Sequence, residues 1–506
     1  MPKVLRRLFD STLNIAWAGV ILLLPITSLP FLSKLAGNTM VAPASLLPLG
    51  WLVLFWIIPF LVRKGTVPRE SIPFFLFVSI GLIACALAFF TDIPSFRNKS
   101  ILGEEISGIL TLVIGAMFYL VTAGWISISK SRLTLTLKYI NLSGAVLLSW
   151  SLIQLAYIFL FHGNYPVILL KFQRLISTRD LFLNRITGFA FEPSWLAHQL
   201  NILFLPAWLA ATFTKASVHR FRLGKFTLEN ILLLIGAGVV FLSSRIGTLA
   251  FLFILAVLGI YLNFILAQRL QKWGLERLPN LAPLFKKVSR ALVLAIITFG
   301  FLGIYALGAL VLVFGLSHVD WRLARFFQPA LFNDWKIMSG NIYVLFNYLA
   351  FAERFVYWVA GWTVFGIHPF IGVGLGNAGF FFQKTLPSYS WGLPEVMNVF
   401  YRTATIPNIK SLWIRLLAET GVAGFASFLA WYYVLWKSGH FLRRSSDLLF
   451  RTIGWYGLFV LIAFVIEGFS VDTFALPYLW ISLGIISAAS ALCRSSIKNV
   501  VAAGIG

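Results

Sequence analysis

Long apolar runs alternate with short polar connections along almost the whole chain. Twelve such runs stand out: Ser11–Ser28, Leu46–Val62, Ser71–Phe90, Ser107–Ile128, Tyr139–Phe161, Pro193–Phe213, Phe226–Leu242, Ile246–Leu266, Ala291–Leu316, Ser411–Trp436, Thr452–Phe469 and Thr473–Leu492. Most have the ~17–25 residues that a helix needs to cross roughly 30 Å of hydrocarbon. The pattern predicts an all-α integral membrane protein with about 12 transmembrane helices, organised as one polytopic domain over residues 1–506. The one long interruption, residues 317–410, separates the ninth and tenth spans. Within it, Asn341–Ala352 and Glu353–Phe365 read as helices with mixed faces. Phe355–Ile367 is apolar but too short to span, so it reads as an interfacial or re-entrant helix. Beyond it, Gly372, Gly374, Gly376, Pro387, Pro394 and Pro407 mark irregular loop. The two halves show no internal repeat of the kind expected of a secondary transporter.

Composition supports the membrane reading. Mean hydropathy is +0.88. Only 11% of residues are charged, against about 25% in soluble domains. The net charge of +24 would suit nucleic acid were it not distributed by topology. Lys3 to Arg7, Arg63-Lys64, Arg220 to Arg222, Lys286-Lys287 and Arg443-Arg444 all fall on every second connection. That is the positive-inside pattern, so both termini are expected in the cytoplasm, with anionic lipid as the partner of the basic face. No cleavable signal peptide is expected; the first run reads as a retained span. Cys85 and Cys493, the chain's 2 cysteines, are expected to be unpaired.

The long loop and two shorter segments, His162 to Glu192 and Ser243-Ser244-Arg245, then share the non-cytoplasmic face. Arg is disfavoured there by the usual charge bias, which points to an anionic ligand. Ser243-Ser244-Arg245-Ile246-Gly247 joins two spans with almost no linker. Arg245 either snorkels to headgroups or, beside hydroxyls and a helix N-terminus, holds phosphate. Glu192 precedes Pro193 at the start of the sixth span. It is either a helix cap or a carboxylate at the mouth of a cavity. Arg415 and Glu419 lie four apart in the tenth span and can pair, as a structural or a functional couple. Glu467 and Asp472 are weaker candidates. In the long loop Asp320, Arg322, Arg325, Glu353, Arg354, His368 and Arg402 are each a solvated charge or a ligand. His368 reads as a loop residue or a base. The many Trp and Tyr side chains suit interface anchoring or the stacking of sugar rings. No Asp-x-Asp pair, zinc spacing or Walker loop is present, so neither metal nor cofactor is expected.

Four stretches occur here in the order seen in the O-antigen ligase/polymerase superfamily, membrane glycosyltransferases of bacterial surface-polysaccharide assembly. They are Arg185–Ala197 with its Phe191-Glu192-Pro193-Ser194, Ser243–Gly247, the His368-Pro369-Phe370-Ile371-Gly372-Val373-Gly374-Leu375-Gly376-Asn377 run, and Leu416–Gly424. The chain resembles that family over about residues 185–430, and in its span layout throughout. The resemblance implies a GT-C-like fold in the bacterial inner membrane. It implies a polyprenyl-diphosphate-linked oligosaccharide as donor and transfer to a sugar hydroxyl on the outer face. Other polysaccharide assembly proteins are then partners, and nucleic acid is not. By position it assigns diphosphate binding to Arg245 and Arg354, with Arg185 beside them. Ser244, Arg322, Arg325, His368, Arg402, Lys410 and Arg415 are expected to touch substrate. Lys410 and Ser411 stand where the ligase branch carries a His-Asn pair, which favours a polymerase. Glu192 is the expected general base and Glu419 the second choice. A ligase acting on lipid A-core or protein is the alternative enzyme, and a lipid-linked glycan flippase the non-enzymatic one.

Overall fold

The computed structural model describes residues 3–37, 40–277, 290–318, 321–329, 331, 342–403 and 405–503. Helix dominates. Apart from isolated bridges, strand is confined, among the described residues, to the antiparallel pair Arg222–Leu223 and Phe226–Thr227. Nine helices among the described residues are long and apolar enough to cross a membrane: Arg69–Ala88, Ile101–Ile126, Lys130–Phe161, Pro193–Thr214, Arg245–Leu270, Leu294–Ser317, Leu412–Leu442, Leu448–Glu467 and Pro477–Ile497. Leu46–Val62 and Leu228–Ser243 are apolar but shorter. The remaining expected span, Ser11–Ser28, falls on a helix that runs only over Lys3–Leu22. Pro25 cannot continue a helix. The chain turns extended after it, and Ser28 bridges both Ala42 and Ser177.

Contacts divide the chain into two compact units, Met1–Thr248 with Val356–Gly506, and Leu249–Phe355. The expected loop 317–410 is therefore shared between them. In the larger unit, Pro193–Thr214 and Leu448–Glu467 are the most deeply buried of the long helices. Trp431, Trp480, Tyr119 and Phe74 pack together at ring separations of 4.8–5.9 Å. Pro206 interrupts the Pro193–Thr214 helix chemically: it has no N–H for the carbonyl of Ile202. Ser482 Oγ donates to that carbonyl at 2.7 Å, and Tyr456 Oη donates to Ser482 at 2.8 Å. Just before the proline, Leu200–Phe204 widens into a π-turn, a local geometry frequent at functional sites.

In the smaller unit, Arg325 donates to the carbonyl of Tyr348 and lies over its ring. Phe346 packs edge-on against Phe351 and Phe355. Helix Ala352–Ile367 contains the expected helix Glu353–Phe365, and Ile342–Tyr348 lies within the expected helix Asn341–Ala352. Asp320 lies outside the described residues.

Candidate functional site

The first of the four stretches is built by a buried side chain that the apolar pattern hides. Gln154, inside helix Lys130–Phe161, accepts from the N–H groups of Thr187 (3.0 Å) and Gly188 (2.9 Å) and donates to the Gly188 carbonyl at 2.9 Å. This clamp fixes the turn between Arg185 and Glu192. A second anchor is Thr27, whose hydroxyl accepts from Phe191 N at 2.9 Å. Glu192 occupies the N-cap position and Pro193 the first turn, but the Glu192 side chain makes no capping bond. The expected cap position is thus met, without a side-chain cap bond. Instead its Oε1 takes Arg179 Nη1 at 3.0 Å, and its Oε2 takes the Ser194 hydroxyl at 3.2 Å. The pair is part-exposed, with side-chain exposures of 41% and 40%, so water and ligands reach the carboxylate. Arg179 also lies over Phe182 and Phe191.

The second stretch docks on the first. Arg185 Nη2 donates to Ser243 O at 3.2 Å. That carbonyl ends helix Leu228–Ser243, where a cation is favoured by the helix dipole. Ser244 is extended, and Arg245 starts the next helix. Both are half-buried. Gly247 must be glycine, because a Cβ there would overlap Ala197 of the Glu192 helix. Its carbonyl accepts from Asn201 Nδ2 at 2.9 Å. The same amide donates to Glu467 Oε1 at 2.6 Å. Glu467 Oε2 is 3.5 Å from His198 Nδ1, both side chains being 1% exposed. A buried carboxylate thus supports the Ser-Ser-Arg turn from beneath.

The segment after Glu467 carries the connection onward. The carbonyl of Gly468 accepts from Leu412 N at 2.8 Å and from Ser411 Oγ at 3.3 Å. Arg415 donates to the Asp472 carbonyl and, through Nε, to Glu419 Oε2 at 2.8 Å. Its guanidinium lies 5.3 Å from the ring centre of Phe474. Lys410 pairs with Glu395 and sits over Tyr357, while its carbonyl accepts from Trp358 Nε1 at 3.3 Å.

Helix Leu412–Leu442 is broken at Gly421, whose φ of 62° and ψ of −169° are not helical. The His368–Gly376 loop fills the break. Val373 N donates to Ala418 O and Gly374 N to Glu419 O. Val422 N donates to Pro369 O and Ala423 N to Phe370 O. Four backbone bonds replace those lost by the helix, as irregular backbone inside a membrane protein requires. Leu375 and Asn377 are fully buried against helices Ile72–Ala88 and Ile101–Ile126; Leu375 N donates to Cys85 Sγ at 3.4 Å. Glu419 is therefore enclosed, its side chain 5% exposed.

Not every expected ligand joins this cluster. Arg402 is exposed at the end of the turn Asn398–Arg402. His368 packs edge-on to Phe381 at 5.5 Å, and burial holds its pKa below the ordinary histidine value. Arg322, Arg325 and Arg354 belong to the smaller unit. Gln154, Arg179 and Asn201 are site residues that the sequence reading passes over. Polar side chains inside apolar runs were the available signal for Gln154 and Asn201. Nothing in the sequence singles out Arg179, because its partner lies thirteen residues on, across an irregular turn. No protein-family model matches the chain, and no curated protein matches it.

Proposed function

We propose that the chain is a polysaccharide polymerase of the O-antigen ligase/polymerase type, lying in a bacterial plasma membrane with twelve spans and both termini in the cytoplasm. One observation carries this reading. Four stretches spread over about residues 185–424 are drawn together by named contacts around the segment Glu467–Asp472. They link the segments that carry Arg185, Arg245 and Arg415 to the one that carries the accessible carboxylate of Glu192. An accessible carboxylate held by Arg179, on segments joined to others that carry arginines, suits transfer from a diphosphate leaving group.

In this mechanism a sugar hydroxyl of one lipid-linked repeat unit attacks the anomeric carbon of another. The new glycosidic C–O bond forms as the bond to the diphosphate breaks. The leaving lipid diphosphate takes the bonding electron pair. Arg245, with Arg185 beside it, stabilises the charge that grows there. The hydroxyl proton passes to Glu192, which Arg179 and Ser194 orient. Glu192 suits this role better than Glu419, which is sealed behind the His368–Gly376 loop and committed to Arg415. Lys410 and Ser411 are occupied by Glu395 and Gly468 and supply no imidazole, which favours polymerase over ligase.

The test is a cell expressing Arg245→Ala in place of the wild type. The proposal expects loss of polymer with single lipid-linked repeat units accumulating on the outer leaflet. Accumulation on the inner leaflet would instead identify a flippase.

A further inference from the structure

A cleft of about 360 Å³ is lined by Phe96, Arg97, Gln383, Trp391, Phe400 and Tyr401. Its volume falls in the range of about 300–1,000 Å³ typical of small-ligand sites. Four of its six lining residues are aromatic. Trp391 meets Phe400 edge-on at 5.0 Å and Tyr401 at 6.3 Å, and Phe96 meets Phe400 at 5.6 Å. Phe96 and Phe400 are buried in these contacts, which leaves Trp391, half-buried, and Tyr401 as the rings open to a ligand. Tyr401 is 69% exposed, although a large aromatic gains from burial.

The cleft is held in shape. Arg97 adopts a left-handed backbone at φ 47°, a conformation uncommon outside glycine. Its guanidinium donates to Thr403 O at 2.9 Å and to Phe400 O. Those two bonds fix the turn Asn398–Arg402, which carries Phe400 and Tyr401. The guanidinium is thus engaged with carbonyls, and among the described residues no Ala, Val, Leu or Ile lines the cleft. Neither feature suits a lipid, which needs a cation for its phosphate and an aliphatic wall for its tails. Uncovered rings beside the Gln383 amide and the Tyr401 hydroxyl suit a sugar. The C–H face of a pyranose lies on an aromatic ring, and its hydroxyls need groups that both donate and accept.

Trp391 and Tyr401 flank the short helix Pro394–Met397, and Glu395 of that helix pairs with Lys410, next to Ser411. We propose that this cleft binds a saccharide unit of the growing glycan, away from the reacting sugar. The assignment of the glycan as product rests on the polymerase reading; the binding of saccharide does not.

The experiment uses the full-length protein with two probes. One is lipid-free oligosaccharide cut from the source organism's own surface polysaccharide. The other is its lipid-diphosphate-linked repeat unit. Binding by calorimetry and product length on gels are compared for wild type, Tyr401→Ala, Trp391→Ala and Trp391→Phe. Tyr401 is exposed, so its truncation leaves the fold intact even if Trp391→Ala does not fold. The expected result is an oligosaccharide affinity about tenfold weaker in Tyr401→Ala, the loss of one ring contact. Its products become shorter while the first transfer keeps its rate, and Trp391→Phe, which keeps a ring in place, retains the affinity and product length that Trp391→Ala loses. Wild-type affinity and length in Tyr401→Ala overturn the proposal. Loss of binding to the lipid-diphosphate-linked unit with unchanged binding of the lipid-free oligosaccharide overturns it too, and assigns the cleft to the lipid diphosphate. Cleft-dependent saccharide binding without elongation by the wild type upholds the cleft and removes the polymerase reading instead.

Discussion

Replacing Gly421 with alanine tests the joint between the broken helix and the His368–Gly376 loop. Gly421 has φ 62° and ψ −169°, a region that residues with a Cβ essentially do not enter, at a cost of about 1–3 kcal/mol. The new Cβ would also overlap the carbonyl of Phe370 and the N of Ile371. These are backbone atoms, and the Phe370 carbonyl is held by Ala423 N, so they cannot swing aside as a side chain would. Overpacking of this kind costs a further ~1–3 kcal/mol. The total, about 2–6 kcal/mol, is a large part of the ~5–15 kcal/mol that keeps a protein folded. Gly421→Ala is therefore expected to lower the Tm of the purified protein in detergent sharply. Gly366→Ala serves as the control, because that glycine lies inside a helix with nothing within 4 Å of the added atom; its Tm should be no lower than wild type. A Gly421→Ala protein that melts with wild type would mean that the loop does not seat in the break, and the enclosure of Glu419 would fall with it.

Three further outcomes follow from the site. Glu192→Gln should slow elongation by about 10²–10⁴-fold at unchanged Tm, since an exposed ion pair contributes little stability. Glu419→Gln should do the reverse, leaving buried Arg415 without its counter-charge and lowering Tm through a loss of about 3–5 kcal/mol. Asn201→Ala removes the link between Gly247 and Glu467 at a cost of about 1–3 kcal/mol; calorimetry of lipid diphosphate binding should show weaker affinity as the Ser-Ser-Arg turn loosens. His368 offers a pH test. Burial lowers its folded pKa below 6.5, so the unfolded chain binds the proton more readily. Its contribution is intact above that value and is lost as pH falls below it. His368→Asn should flatten part of the decline in Tm between about pH 7 and pH 5.

The apolar runs were legible because hydrocarbon thickness imposes a length on them. Where the helix reading failed, a local cause overrode hydropathy. Pro25 ends the first helix, and the residues beyond it pair with Ala42. The break at Gly421 was harder to see. A glycine inside an apolar run reads as a tolerated residue, and its partner loop lies some 45 residues upstream. The glycines of that loop did signal irregular backbone, yet nothing local says that it turns inward rather than toward water. Glu192 shows the same limit. Its position before Pro193 predicts a cap, but the choice of Arg179 over the helix N–H groups depends on a turn clamped by Gln154 from another helix. Arg402 and Lys410 look alike in sequence. One is exposed and the other is tied to Glu395, because Arg97 fixes the turn that carries the first.

The most direct measurement is made on the purified protein in liposomes, with a lipid-diphosphate-linked oligosaccharide as the sole substrate. The account predicts a ladder of longer lipid-linked glycans with release of free lipid diphosphate, both absent in Arg245→Ala. Movement of labelled lipid between leaflets with no elongation would contradict it and identify a transporter.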